Sequence, residues 1–159
     1  MASFEIVVEI DRPVEEVFAY FTDVACIPEW NSIVLEVTPS ARPIHVGATV
    51  KIRMRLLGRT IEATQEVLEY ESNKKVVVRT PAPLAVTDTW MFEPLGAGRT
   101  RLTFGSVGTV SGFFKLADPI VVRVAKKQLT AQLETLKELL EAGAVGTSVG
   151  RSAAKPAAK

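Results

Sequence analysis

The chain has 159 residues, of which 47% are hydrophobic and 23% are charged, a composition typical of a single soluble globular domain. The formal charge is +1, but residues 143–159 hold three cations and no acid, so subtracting three leaves about −2 for residues 1–142. A body of that sign has no overall attraction for phosphate backbones, and nucleic-acid binding is therefore not expected.

The first part of the chain has the pattern of a strand followed by helices. Apolar residues alternate in residues 3–10 and predict a strand. Asp11 is the predicted N-cap of a helix in residues 11–23, whose apolar residues recur at helical spacing. The segment that follows, DVACIPEWN, contains Pro28, which stops or kinks a helix. We therefore expect two short helices after the first strand.

Six further strands are predicted, with short connections and no helical pattern between them. They are expected in residues 32–37, 49–56, 59–71, 74–80, 84–94 and 99–110. The clearest signal is the hairpin around Gly58, in which apolar residues alternate with Lys and Arg. Because consecutive strands are joined by short loops, the sheet should be antiparallel and meander-like.

The last predicted element is a long helix from about Pro119 to about Ala142, with Asp118 as N-cap and Gly143 as the stop. Its leucines recur at helical spacing and predict one buried face; they are Leu129, Leu133, Leu136 and Leu140. In the first half of this helix, apolar residues occupy more than one face, so we expect other parts of the protein to cover it on two sides. Residues 144–159 are rich in Gly, Ser, Ala and Lys, which predicts a folded domain in residues 1–143 and a disordered tail.

This order of elements resembles the helix-grip fold of the START-like polyketide cyclase/dehydrase and lipid-transport family, also called SRPBCC. The resemblance covers residues 3–142. It rests on IDRPVEEVFAYFTDVACIPEWN, TQEVLEYESNKKVVVRT, TWMFEPLGAGRTRLTF and LADPIVVRVAKKQLTAQLETLKELLE. It implies an α+β fold, in which a curved seven-stranded antiparallel sheet wraps the long C-terminal helix and leaves a cavity between them.

The resemblance implies a monomer or homodimer that binds a small hydrophobic molecule, such as a lipid, polyketide or aromatic compound, in that cavity. Two alternatives stay open: a cyclase or dehydratase of the same fold, and a protein-interaction module with a collapsed cavity. Two inward polar groups within hydrogen-bond distance would favour the enzyme, whereas a dry, closed interior would favour the interaction module. The residues predicted to line the cavity are Trp30, Met54, Gln65, Asp88, Trp90, Phe92, Leu116, Ile120 and Val124.

Trp30 lies in the segment DVACIPEWN, which Pro28 interrupts, just before the second strand. This position allows two interpretations. It is either a lid or wall residue at one end of the cavity, or a core anchor of the helix–strand corner. As a lid, Trp30→Ala would weaken ligand binding at a smaller cost in stability than Trp90→Ala.

Three polar residues share inward faces of predicted strands. Asp88 lies on the same face as Trp90, where desolvation would raise the pKa of the carboxyl and suit an acid–base role, although a strand end is often solvated. Gln65 interrupts an apolar run, so its amide is either tied to the backbone or used to orient a ligand. Ser106 shares a face with Leu102 and Phe104. Asp88 and Gln65 are thus the candidate catalytic residues if the protein is an enzyme.

Other chemistry has little support in the sequence. Cys26 and His45 are the only residues of their types, so an intramolecular disulfide is excluded, and a metal site or Cys–His pair would need carboxylates to complete it. There is no phosphate-binding glycine loop, signal peptide or apolar run of the ~20 residues that span a membrane. We expect a cytoplasmic protein without a metal or nucleotide cofactor.

One basic row follows the outer face of the predicted hairpin. It consists of Lys51, Arg53, Arg55 and Arg59. We interpret it as a solvated strand face paired with Glu62 and Glu66 of the next strand, rather than as a site for an anionic partner.

Overall fold

The structure, a computed structural model, describes residues 2–56, 58–81, 85–108 and 119–146. Its helices are α1 (Val14–Thr22), a 3-10 turn (Val24–Cys26), α2 (Ile27–Trp30) and α3 (Pro119–Glu141). Its strands are β1 (Ala2–Ile10), β2 (Val34–Pro39), β3 (Thr49–Leu56), β4 (Arg59–Glu71), β5 (Lys75–Thr80), β6 (Val86–Pro94) and β7 (Thr100–Gly108). The predicted order of elements is confirmed, and the predicted bounds differ from these by a few residues.

The strands form one seven-stranded sheet in the order β1-β7-β6-β5-β4-β3-β2, and every neighbouring pair is antiparallel. From β2 to β7 each strand pairs with the next one in the sequence, which is the predicted meander. β1 joins the sheet by pairing with β7, so the first and last strands of the described residues are neighbours. The predicted α+β, helix-grip class is thus confirmed.

A register shift between Val67 and Glu69 changes which side chains of β4 face the core. Strict alternation would turn Glu69 inward after Val67. With the shift, Glu69 is exposed, and Tyr70 packs its ring against Phe18 with the centroids 5.5 Å apart. The irregularity therefore keeps a charged residue out of the core and adds an aromatic one.

Helix α3 packs against β1, α1 and α2. The predicted buried face is present, since Leu133, Leu136 and Leu140 are all buried. The expectation that the first half is covered on two sides is wrong, because Ile120 is 69% exposed and Val124 is 39% exposed. The broad apolar half of α3 therefore consists of partly buried and exposed side chains, and its firm packing begins further along the helix.

The predicted start of α1 is wrong, whereas the predicted end of α3 is confirmed. The N-cap of α1 is Pro13, with no side-chain cap, because the φ of −60° that its ring imposes already suits the start of a helix. Asp11 is therefore not the cap that the sequence predicted, and its carboxylate accepts a hydrogen bond from Arg99 Nε at 2.9 Å. Gly143, with φ +104°, follows the end of α3 as predicted.

The chain stays packed for three residues beyond Gly143. Gly146 is buried beside α1, where a Cβ built on it would lie 3.2 Å from the carbonyl oxygen of Ala19 and 3.3 Å from Asp23 Oδ2. The packed part of the chain thus reaches at least Gly146. The rest of the predicted tail, residues 147–159, lies outside the described residues, as do Leu116 and Asp118.

Candidate functional site

A cavity of about 200 Å³ lies between the inner face of the sheet and the helices. The sheet contributes Val34, Val50, Ile52, Met54, Gln65, Val67, Val76, Val78, Asp88, Trp90 and Phe104. The helices and connections contribute Phe21, Thr22, Val24, Ile27, Trp30, Asn31, Ile33, Ile44 and Leu129. Most of these side chains are aliphatic or aromatic, because each strand turns its apolar alternate residues toward the helices.

The structure brings most of the predicted lining residues together, namely Trp30, Met54, Gln65, Asp88 and Trp90. Phe92 is buried one step further along β6, outside this lining. Ile120 and Val124 are exposed and lie outside it too, while α3 contributes Leu129 instead. Leu116 is not among the described residues. Contact of any of these residues with a ligand stays a prediction.

Four aromatic rings form one wall of the cavity. Trp90 of β6 lies opposite Phe104 of β7, with ring centroids 4.2 Å apart. Phe21 of α1 lies 4.6 Å from Trp90 and stacks on Trp30 at 5.6 Å. Contacts of this kind contribute about 0.5–1.5 kcal/mol each beyond area burial. The wall therefore links α1, α2 and the sheet.

Trp30 is part of both the core and the cavity wall. It is 3% exposed and lines the cavity, so the lid-or-wall interpretation and the core-anchor interpretation both stay predictions. The 3-10 turn before it is capped by Asp23, whose Oδ1 accepts a hydrogen bond from Ala25 N at 3.2 Å. Pro28 then lies in the first turn of the four-residue α2. The indole N–H of Trp30 has no hydrogen-bond partner among the described residues.

Asp88 and Ser106 form a hydrogen-bonded pair in the cavity region. They face each other across β6 and β7, and Ser106 Oγ donates to Asp88 Oδ1 at 2.6 Å. Burial raises the pKa of Asp88 from its usual 3.8 to about 6, and the bond from Ser106 opposes part of that rise. Asp88 is half-buried and is the one ionisable side chain among the described lining residues. The cavity therefore combines apolar walls with a single acid.

The side-chain amide of Gln65 forms a hydrogen bond with another side chain, and not with the backbone as the sequence suggested. Its Nε2 donates to Thr80 Oγ1 at 3.3 Å, and Thr80 is 3% exposed. Among the described residues, no group donates a hydrogen bond to the side-chain amide oxygen of Gln65. Gln65 thus adds a second polar group to the cavity wall, on β4.

Sequence reasoning missed two polar contacts that position the helices. Gln132 of α3 is 8% exposed and bonds to Ser32. Tyr20 of α1 is fully buried, and its hydroxyl donates a hydrogen bond to Glu29 Oε1 of α2 at 2.7 Å. Burial is the main cause that raises the pKa of the Tyr20 phenol, and the nearby Glu29 carboxylate raises it further. The available signal was Gln132 itself, because it lies one residue before Leu133 on the face that the leucines bury.

The described residues provide neither a group of metal ligands nor a membrane-spanning helix. They contain no group of three or more His, Cys, Asp and Glu side chains that could hold a metal ion. No described helix has the length and hydropathy needed to cross a membrane. His45 is exposed, and its Nδ1 lies 2.9 Å from the carbonyl oxygen of Val46. Cys26 is buried in the core.

The basic row, on β3 and the start of β4, is a solvated strand face, but the partner of Arg53 differs from the prediction. Arg53 pairs with Glu36 of β2 at 3.1 Å rather than with Glu62. Glu66 pairs with Arg79 of β5. In the sheet register Arg53 lies opposite both Glu36 on β2 and Glu62 on β4, so a side chain on this outer face can reach an acid on either flanking strand. Exposed pairs of this kind contribute little to stability.

Comparisons with known proteins agree with this architecture. The family model described as polyketide cyclase / dehydrase and lipid transport matches residues 1–141. No curated protein matches the sequence. Three solved structures show the fold at low identity.

The Zhui aromatase/cyclase from Streptomyces sp. R1128 is 17% identical, with a TM-score of 0.73 over 91% of this chain and 99% of that one. A START superfamily protein from Mycobacterium smegmatis is 17% identical, with a TM-score of 0.75 over 87% of this chain and 97% of that one. A protein from Thermus thermophilus is 20% identical, with a TM-score of 0.71 over 90% of this chain and 100% of that one. Because the family model matches residues 1–141, the chain belongs to the polyketide cyclase/dehydrase and lipid transport family.

Proposed function

We propose that this protein binds a small, largely apolar molecule in the cavity between the sheet and the helices. The observation that carries the proposal is the cavity itself, about 200 Å³ and walled mainly by aliphatic and aromatic side chains. An apolar cavity of ~150 Å³ in another protein accommodates benzene. The space here is therefore suited to a compound of about one or two fused rings, and the family supports a ligand of apolar character.

The test uses the two tryptophans of the chain, Trp30 and Trp90, which both line the cavity. Naphthalene is titrated into the protein while tryptophan fluorescence and the heat of binding are recorded. Saturable quenching with a matching heat is expected, because a bound ring would lie within contact of both indoles. An unchanged spectrum and no heat up to the solubility limit would contradict the proposal.

A matched pair of variants locates the binding site. Val78→Phe places a larger side chain in the cavity, whereas Val107→Phe makes the same change at a position that is 44% exposed. Val78→Phe should lose naphthalene binding, and Val107→Phe should keep it. Both variants are first checked for a cooperative melt. A folded Val78→Phe with unaltered affinity would place the ligand elsewhere.

A second candidate, a cyclase or dehydratase, is favoured by the contact between Ser106 and Asp88. These are two inward polar groups at 2.6 Å, and an acid with a pKa of about 6 can give and take a proton near neutral pH. A poly-β-carbonyl substrate would be followed for aromatisation by absorbance. Turnover faster than in buffer would support catalysis if the Asp88→Asn variant loses it. A rate equal to that in buffer would contradict catalysis and leave ligand binding as the proposed function.

The third alternative, an interaction module, has less support. It requires a collapsed interior, whereas the described residues line a cavity of about 200 Å³. The binding proposal therefore stands first.

A further inference from the structure

We propose that the Asp88–Ser106 pair anchors the polar end of the ligand, so that the cavity selects neutral ring compounds carrying a hydroxyl group and rejects carboxylic acids. This inference rests on the proposed binding function and narrows its ligand class. The hydrogen bond of the pair, the charge of the lining and the aromatic surface next to Asp88 all support it.

The hydrogen bond leaves Asp88 with capacity to accept another. Ser106 Oγ donates to Oδ1, and among the described residues no other group donates to this carboxyl. A carboxylate has about four lone-pair positions, so one donor does not satisfy it. A ligand hydroxyl that donates to Asp88 would replace hydration that the acid gives up on burial.

The charge of the lining decides against acids. Among the described lining residues Asp88 carries the one ionisable side chain, and no Lys, Arg or His lies beside it. Its cross-strand neighbours are Val78 and Ser106, which are uncharged. A ligand carboxylate would lose its water next to a like charge with no cation to compensate. Fatty acids and aryl carboxylates should therefore bind poorly.

The shape next to Asp88 favours rings. Trp90 follows Asp88 on the same face of β6, and Phe104 lies 4.2 Å from Trp90, next to Ser106 on β7. The polar pair thus adjoins an aromatic pair on neighbouring inward positions. A flat ligand that stacks on the aromatic pair places a substituent within reach of Asp88. The cavity volume of about 200 Å³ sets the size at about one or two fused rings.

The experiment compares three probes of one skeleton by calorimetry at pH 8, where Asp88, with a pKa of about 6, is ionised. The probes are naphthalene, 2-naphthol and 2-naphthoate. Because a hydrogen bond to a charged group is a strong one, 2-naphthol should bind about tenfold more tightly than naphthalene. 2-Naphthoate should show no saturable binding. The ammonium probe 1-naphthylmethylamine is a fourth arm.

Variants assign the selectivity to Asp88. Asp88→Leu should bind naphthalene and 2-naphthol equally, and Asp88→Asn should also weaken the rejection of 2-naphthoate. The matched control is Glu93→Gln on the same strand, where the glutamate side chain is 62% exposed; it should behave as the parent protein. Two variants keep the test decisive if one of them fails to fold.

The outcomes separate this inference from the proposed function. Equal affinity for naphthalene, 2-naphthol and 2-naphthoate would keep the binding function and overturn the anchor. Tighter binding of the ammonium probe than of 2-naphthol would overturn the hydroxyl selectivity and identify a cation site. No binding of any probe would overturn both.

Discussion

Ser32 and Gln132 hold each other with two hydrogen bonds across 100 residues of sequence. Gln132 Oε1 accepts from the backbone N–H of Ser32 at 2.9 Å, and its Nε2 donates to Ser32 Oγ at 3.0 Å. The residues on both sides of Ser32, Asn31 and Ile33, line the cavity, as does Leu129 one turn before Gln132. This contact therefore fixes α3 to the segment that carries the cavity's helical wall.

The first prediction concerns this contact. Gln132→Ala should lower the free energy of unfolding by about 1–3 kcal/mol, because it removes two hydrogen bonds to Ser32, each of which contributes about 0.5–1.5 kcal/mol. Urea denaturation measures the change. Gln128→Ala, one turn earlier and without a side-chain hydrogen bond among the described residues, is the control and should differ from the parent by less than about 0.5 kcal/mol. Equal effects of the two changes would show that the contact adds nothing.

The second prediction concerns the uneven packing of α3. Leu136 is fully buried, so Leu136→Ala should cost about 2–5 kcal/mol through lost contacts and a cavity. Val124→Ala shortens a side chain that is 39% exposed and should cost far less. Denaturant melts of both variants provide the measurement. A large cost at Val124 would mean that the first half of α3 is covered after all.

The third prediction concerns the two tryptophans. Trp30 is 3% exposed whereas Trp90 is half-buried, so Trp30→Ala should cost about 3–5 kcal/mol and more than Trp90→Ala. This reverses the order expected for a lid. Trp30→Phe should cost less than Trp30→Ala, because it keeps a ring against Phe21 and removes an indole N–H without a partner.

Melts of the three variants measure these stabilities, and naphthalene titrations measure binding. If Trp30→Ala cost less than Trp90→Ala, the result would favour the lid interpretation over the core anchor. If Trp30→Phe cost as much as Trp30→Ala, the stacking on Phe21 would have no role.

The fourth prediction concerns pH. Burial raises the pKa of Asp88 from 3.8 to about 6, so the folded state binds this proton more tightly than the unfolded state. The associated stability is fully present below about pH 4 and is lost as pH rises through about 6. The shift of about two units corresponds to at most about 3 kcal/mol, and less for a half-buried group.

Asp88→Asn removes this titration. The free energy of unfolding of the variant, relative to that of the parent protein, should therefore increase between pH 4 and pH 7 and then level off. Urea melts across that range measure the difference between the two proteins. Glu93→Gln is the control for an exposed acid. Parallel pH profiles for the parent and Asp88→Asn would refute the buried-acid interpretation.

Much of the fold could be predicted from the sequence, because alternation and helical spacing are local properties of the chain. The inward parity of Met54, Gln65, Asp88 and Trp90 follows from the period of two in a strand. The ends at Pro119 and Gly143 follow from residue chemistry that acts within one turn. These signals need no knowledge of what lies opposite, and the structure agrees with them.

Tertiary structure decided the rest, because it depends on residues that are distant in sequence. The pairing of Asp88 with Ser106 depends on strand register, and the inward turn of Tyr70 depends on a register shift that alternation alone cannot show. Likewise, only packing shows that Trp30 is buried, while Ile120, in the most apolar half of α3, is exposed. A residue's pattern states how apolar its face is, whereas burial depends on whether another part of the chain covers that face.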